Sequence, residues 1–132
     1  ALYVWTMMKH YIGNGAESYL YWNPVLEPVG RSTWGDPQNA MVTVDPANKR
    51  FVFNPDYYVI KSASAIVQRG AVRLGMTGVW AADTLAFQNP DGSLALSVFN
   101  PFCEVRSVAL LHNGETLRFP LEPRSVNSIL IR

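Results

Sequence analysis

Leu85-Ala86-Phe87-Gln88-Asn89-Pro90-Asp91-Gly92-Ser93-Leu94-Ala95-Leu96-Ser97-Val98 is the stretch that decides the fold of the C-terminal half. Leu85 and Phe87 alternate with smaller or polar residues, a period of two that reads as a strand. Asn89-Pro90-Asp91-Gly92 then supplies a turn, in which Pro suits the second position and Gly is free to take positive φ. Leu94, Leu96 and Val98 resume the alternation on the return strand. Downstream, Val108 and Leu110 are predicted to pair with Leu117 and Phe119 around Asn113-Gly114, a dipeptide that strongly favours a two-residue hairpin turn. Arg124 to Ile131 reads as a last strand. Five or six short antiparallel strands at this spacing predict a β-sandwich or a related barrel over residues 70–132.

Upstream of Gly70 the periodicity is helical instead. Ala1, Val4, Trp5, Met8, Tyr11 and Ile12 recur at three- and four-residue spacing, which places them on one helical face, and Gly13-Asn14-Gly15 ends that helix. Glu17 to Trp22 is rich in Tyr and Leu and reads as a short strand buried on both faces. Helix then strand is the repeating unit of a parallel α/β barrel. Asn23 to Ala40 holds three prolines and two glycines, so it is predicted as a long loop. Pro24 fixes its own φ and is expected to push Asn23 towards an extended conformation. Met41 to Val44 and Arg50 to Phe53 are predicted to form a hairpin around Asp45-Pro46-Ala47-Asn48-Lys49. Asn54 fits a helix N-cap with Pro55 at the first helical position, and the helix is expected to run to about Val67.

Composition narrows the classes of function. The chain has 132 residues, enough for one modest core. A complete eight-stranded α/β barrel needs roughly 250. An apolar fraction of 48% with 16% charged residues describes an ordered globular protein. A net charge of +1 gives no electrostatic reason to expect nucleic acid or an acidic membrane as partner. Cys103 is single, so no intrachain disulfide and no cysteine-rich metal site is expected, and it reads as a small residue in or beside a strand. The sequence contains no basic-then-apolar leader and no run of about 18 apolar residues, so neither a signal peptide nor a spanning helix is expected within it.

Tyr21-Trp22-Asn23-Pro24-Val25-Leu26-Glu27, then Ser32-Thr33-Trp34-Gly35, Gln38-Asn39 and Val42-Thr43-Val44-Asp45, resemble the end of the catalytic barrel in glycoside hydrolase family 30, the glucosylceramidase and β-1,6-glucanase group. The resemblance continues through Phe53-Asn54-Pro55-Asp56-Tyr57-Tyr58-Val59 and Gly70-Ala71-Val72-Arg73-Leu74, covering nearly the whole chain in order. It implies an α+β fragment of a larger enzyme. Residues 1–69 would be the last helix-strand-helix portion of a (β/α)8 barrel, and residues 70–132 an antiparallel β-sandwich. The parent would be a retaining β-glycosidase acting on β-linked glycosides, secreted or held in a periplasmic or lysosome-like compartment. Partners would be that glycoside, through the parent barrel, and the remainder of the enzyme or a second copy of the chain. The alternatives are a carbohydrate-binding module and a non-catalytic assembly protein derived from the family. Pro24 and Arg31 depart from the family pattern, which leaves the substrate's identity open.

Retaining hydrolysis needs two carboxyl groups roughly 5 Å apart. In the resembled family these are glutamates upstream of Ala1, so no catalytic residue is expected in this chain and the fragment is expected to be inactive. No cofactor and no metal are implied. Glu17, near the start of the expected strand, is read as solvated or paired; Glu27, on the loop, is a single carboxylate. The loop after a barrel strand lies on the face where active sites are built. The resemblance therefore makes Trp22, Asn23, Trp34, Gln38 and Asn39 the candidate substrate-binding residues. An indole can stack on the C–H face of a sugar while its N–H donates a hydrogen bond. His10 and His112 have no second ligand at metal spacing and read as surface residues. Ser62 and Ser64 lack a nucleophile-elbow pattern. Tyr57, Tyr58 and Trp80 are read as packing residues.

Overall fold

The computed structural model describes every residue from Ala1 to Arg132. The chain forms two compact units, Ala1–Lys61 and Ser62–Arg132.

The first unit opens with helix α1, Leu2–Gly13, which buries Val4, Trp5 and Met8 as the spacing predicts. Tyr11, placed on the same stripe, is 52% exposed. The helix stops where Asn14 gives both its N–H and its Nδ2 to the His10 carbonyl, and Gly15 takes φ +98°. Positive φ costs glycine nothing, so the chain reverses there without strain. Glu17–Trp22 is not a strand. No segment of this unit lies alongside to complete a ladder, and an apolar run without a partner strand stays irregular. Pairing starts later, at β1, Val25–Leu26, which runs parallel to β2, Val42–Asp45. β2 forms the expected hairpin with β3, Arg50–Phe53, closed by the Asp45 carboxylate accepting from the N–H and Nδ2 of Asn48. Helix α2, Pro55–Ser64, follows. Asn54 ties its start to the sheet by donating to the Ala40 carbonyl and to Thr43 Oγ1, each at 2.8 Å.

α2 ends three residues before the expected Val67. Its last-turn carbonyl on Ser62 accepts from Ser128 Oγ, and the segment beyond is taken over by Asn89. Asn89 donates to the Ile66 carbonyl and accepts from the Gln68 N–H, while Gln68 Nε2 reaches Asp91 at 2.6 Å. These side-chain bonds satisfy backbone groups that a longer helix would have used.

The second unit is the sandwich. One sheet has the order β4 (Val72–Leu74), β5 (Thr84–Gln88), β6 (Leu94–Asn100), β9 (Ser125–Ile131), all antiparallel. The other is the ribbon of β7, Arg106–His112, and β8, Glu115–Leu121, paired as predicted with Val108 opposite Phe119 and Leu110 opposite Leu117. Asn113 at φ +50° and Gly114 at φ +83° give the hairpin turn the two positive angles it requires. β9 returns beside β6 for seven residues, a crossing that local pattern does not reveal.

The core lies between the two sheets. Ala86, Leu94, Leu96 and Val98 face Val108 and Leu121, with Leu74, Trp80, Phe119, Ile129 and Ile131 around them. Ala86 pairs with Leu96, so Leu85 and Phe87 of β5 point to the opposite face from Leu94, Leu96 and Val98 of β6. Leu85 and Ala95 on that second face are buried too. Burial of one such aliphatic side chain contributes about 1.5–3 kcal/mol.

Candidate functional site

The loop that holds the candidate substrate-binding residues is built from close turns, each fixed by its own hydrogen bonds. Asn23 adopts φ +63°, not the extended conformation expected before Pro24. Asparagine tolerates this left-handed region better than other non-glycine residues. Its Nδ2 donates to Gln38 Oε1 at 3.0 Å and its carbonyl accepts from Met41 N–H at 3.3 Å, which outweighs the pre-proline preference. The reversal leaves Trp22 81% exposed.

Glu27 to Gly30 forms the next turn, with Gly30 N–H donating to the Glu27 carbonyl. Gly30 then passes so near Leu26 that an added Cβ would lie 2.7 Å from Leu26 Cβ. Only glycine fits. Gln38 N–H donates to the Gly30 carbonyl, which brings both ends of the outer loop together. At the tip, Ser32 Oγ accepts from the N–H groups of Trp34 and Asp36, and Arg31 Nη1 donates to the Gly35 carbonyl at 2.7 Å. Trp34 stands out from this clamped tip with 88% of its surface exposed.

Gln38 and Asn39 line a polar cavity of about 410 Å³ with Glu27, Thr43, Asn54 and Asp56. The structure thus joins Asn23 to Gln38 directly, and Gln38 to Asn39 across one cavity wall. Trp22 and Trp34 are not among that cavity's lining residues; both project into open space.

The strongest electrostatic feature beside the cavity is one that sequence reasoning missed. Tyr21 donates its hydroxyl to Asp56 Oδ2 at 2.6 Å. Burial works to raise the Asp56 carboxyl, and the hydrogen bond from Tyr21 works to lower it. Burial and the Asp56 carboxylate push the Tyr21 phenol far above its ordinary range. Thirty-five positions separate the two residues, so no local pattern could have signalled the pair.

Glu17 and Glu27 are both exposed. No group of three or more His, Cys, Asp or Glu comes together, and no helix is long and apolar enough to cross a membrane. Cys103 is exposed in a bend before β7, with Arg124 Nε and Nη2 at 3.3 and 3.2 Å from its sulfur. Tyr57 stacks on Phe53 at 4.3 Å and meets Tyr58 edge to face, a packing arrangement.

Residues 70–129 match the model of the glycosyl hydrolase family 30 beta sandwich domain. The sandwich belongs to family 30. The fold around the family 30 sandwich is also shared: the endo-beta1,6-glucanase BT3312 superposes with a TM-score of 0.81 at 24% identity, covering 97% of this chain and 31% of that one. SrfJ from Salmonella typhimurium superposes with a TM-score of 0.87 at 22% identity, covering 98% of this chain and 30% of that one. The chain therefore spans less than a third of either neighbour's length. At these identities the likeness is one of fold. No curated protein matches the chain.

Proposed function

We propose that this chain is the C-terminal part of a retaining β-glycosidase, with residues 1–69 completing a (β/α)8 barrel and the Trp22–Asn39 loop forming one wall of its substrate cleft. The observation that carries this reading is the likeness, over 97% of the chain, to part of an endo-β1,6-glucanase three times as long. The family 30 sandwich supports it from the other half of the chain. So does the first unit's surface, where Leu2, Tyr3, Val25, Phe51 and Val52 are all more than half exposed. Large apolar residues gathered on one unit mark a surface that packs against further protein. In the whole barrel, the irregular stretch before Trp22 gains neighbouring strands, and Trp22 stands at its C-terminal end, facing sugar.

The two catalytic carboxyl groups belong to the rest of the enzyme, so the isolated chain lacks hydrolytic activity. What these residues supply is binding: Trp22 stacks on a sugar face, and the Asn23–Gln38 pair holds the loop that carries it. Trp34 rims the cleft. The parent acts on β-linked glycosides in a secreted, periplasmic or lysosome-like compartment.

The test compares hydrolysis of an aryl β-glucoside and of β-1,6-glucan by the 132-residue chain and by a longer product that includes the upstream barrel. An inert short chain and an active long one are expected. In the long form, Trp22→Ala is expected to lower kcat/KM roughly tenfold, mainly through KM. Hydrolysis by the short chain, or none by the long one, would refute the reading.

A further inference from the structure

The family 30 sandwich has a concavity of its own. Val79, Trp80, Asp83, Phe102, Arg106 and Ser107 line a cavity of about 370 Å³. Small-ligand clefts run from about 300 to 1,000 Å³, so this one suits one or two sugar-sized units. Trp80 and Phe102 meet edge to face, with centroids 6.3 Å apart and planes at 86°, and make an aromatic corner. Val79 at 92% exposure and Phe102 at 46% leave an apolar rim in water.

Polar groups are set into that corner. The Arg106 guanidinium lies 4.6 Å over the Phe102 ring, and its Nη2 is bridged to Glu104 at 2.5 Å. A guanidinium has five N–H donors, so donors remain after that bridge. Asp83 is half-buried on the wall and its carboxylate accepts no hydrogen bond within the chain, which makes it a free acceptor. Ser107 adds a hydroxyl.

The corner is also held rigid. Phe102 N–H donates at 3.0 Å to Oδ1 of the fully buried Asn100, and its carbonyl accepts from Arg124 N–H at 3.0 Å. The Trp80 carbonyl accepts from Thr84 Oγ1 at 2.7 Å and from Asp83 N–H at 3.1 Å. Preorganised groups lose little entropy when a ligand arrives.

A pyranose offers an apolar C–H face and a rim of hydroxyls that both donate and accept. An aromatic wall with a free carboxylate acceptor and a guanidinium donor beside it matches those three demands. The carboxylates of Asp83 and Glu104 outnumber the one guanidinium, which disfavours an anionic ligand. We propose that this pocket is a glycan-binding subsite on the sandwich, taking one or two neutral sugar residues of a β-linked glucan. It is built from different residues than the cleft loop and binds without hydrolysing. The choice of a β-glucan rests on the function proposed above; the pocket's chemistry does not.

The experiment is a titration of the isotope-labelled chain with the β-1,6-linked glucose trisaccharide, followed by amide and indole shifts, with maltotriose as the α-linked control. Shifts at Trp80, Asp83, Phe102 and Ser107 are expected, with a dissociation constant of order 1 mM. Asp83→Ala and Arg106→Ala, neither of which removes a core side chain, are expected to weaken binding about tenfold each while the remaining resonances stay in place. Trp80→Phe keeps an aromatic packed on the core and is expected to weaken binding without unfolding. Shifts confined to residues 22–39 would overturn this subsite yet leave the cleft reading standing. An unperturbed titration up to ~10 mM, or Asp83→Ala binding as tightly as the parent, would also overturn it, and neither bears on the hydrolysis test.

Discussion

Asn23, Ser97 and Asn100 show how single positions are fixed by their surroundings. Asn23 holds φ +63°, so Asn23→Gly is expected to fold normally, whereas Asn23→Val is expected to lower stability by about 1–2 kcal/mol in a thermal melt. Asn100 is fully buried and satisfies the carbonyls of Glu104 and Leu121 as well as the Phe102 N–H. Asn100→Ala is expected to cost about 2–3 kcal/mol by chemical denaturation, because it strands those backbone groups in the interior. Ser97, three residues earlier on β6, has the opposite sign. Its hydroxyl is buried without a partner, so Ser97→Ala is expected to be neutral or stabilising by up to about 1 kcal/mol. Measured side by side, the pair separates polar burial that is answered from polar burial that is not.

At the scale of elements, α2 is tied to the segment before Trp22 by Tyr21 and Asp56. The Tyr21 hydrogen bond favours the charged carboxylate and works to lower its folded pKa, so the contribution of that bond is in place above the ordinary carboxylate range. It is lost as the pH falls through the folded value. The midpoint of denaturation is therefore expected to drop on acidification below about pH 4. Tyr21→Phe is expected to reduce that acid sensitivity and to cost about 1–3 kcal/mol near neutrality, since it removes a hydrogen bond to a charged, mostly buried acceptor. Urea denaturation of both proteins across acidic pH checks this, and identical pH profiles would argue against it. The helix boundary teaches a related lesson: Asn54-Pro55 marked the start of α2, while the backbone at and beyond its end is bonded by Asn89, from the turn after β5, and by Ser128 of β9.

For the molecule as a whole, the sandwich core and the apolar surface of the first unit make different demands. Leu121 is fully buried between the two sheets, and Leu121→Ala is expected to destabilise by about 2–5 kcal/mol through lost transfer energy and a residual cavity. The first unit, with Phe51, Val52 and Leu20 in water, is expected to self-associate in a concentration-dependent way during sedimentation. On the proposal that a barrel precedes this chain, a longer product that includes it is expected not to associate in this way.

Strands β5 to β9 of the sandwich and the starts of both helices were legible in the sequence, because period-two alternation, the Asn89–Gly92 and Asn113-Gly114 turns, and Asn54-Pro55 are local signals that bias the backbone within a few residues; the short edge strand β4 carries no such signal. The sequence resemblance also singled out Trp22, Asn23, Trp34, Gln38 and Asn39, and the tight turns bring Asn23 and Gln38 into a hydrogen bond. Tertiary structure alone decided that Glu17–Trp22 is irregular, that Asn23 turns left-handed, that β9 lies beside β6, and that Tyr21 meets Asp56. The aromatic corner of Trp80 and Phe102 belongs to the same set. Each depends on a partner tens of residues away, and the free energy of such a pairing exists only once the chain has closed the loop that brings the two together.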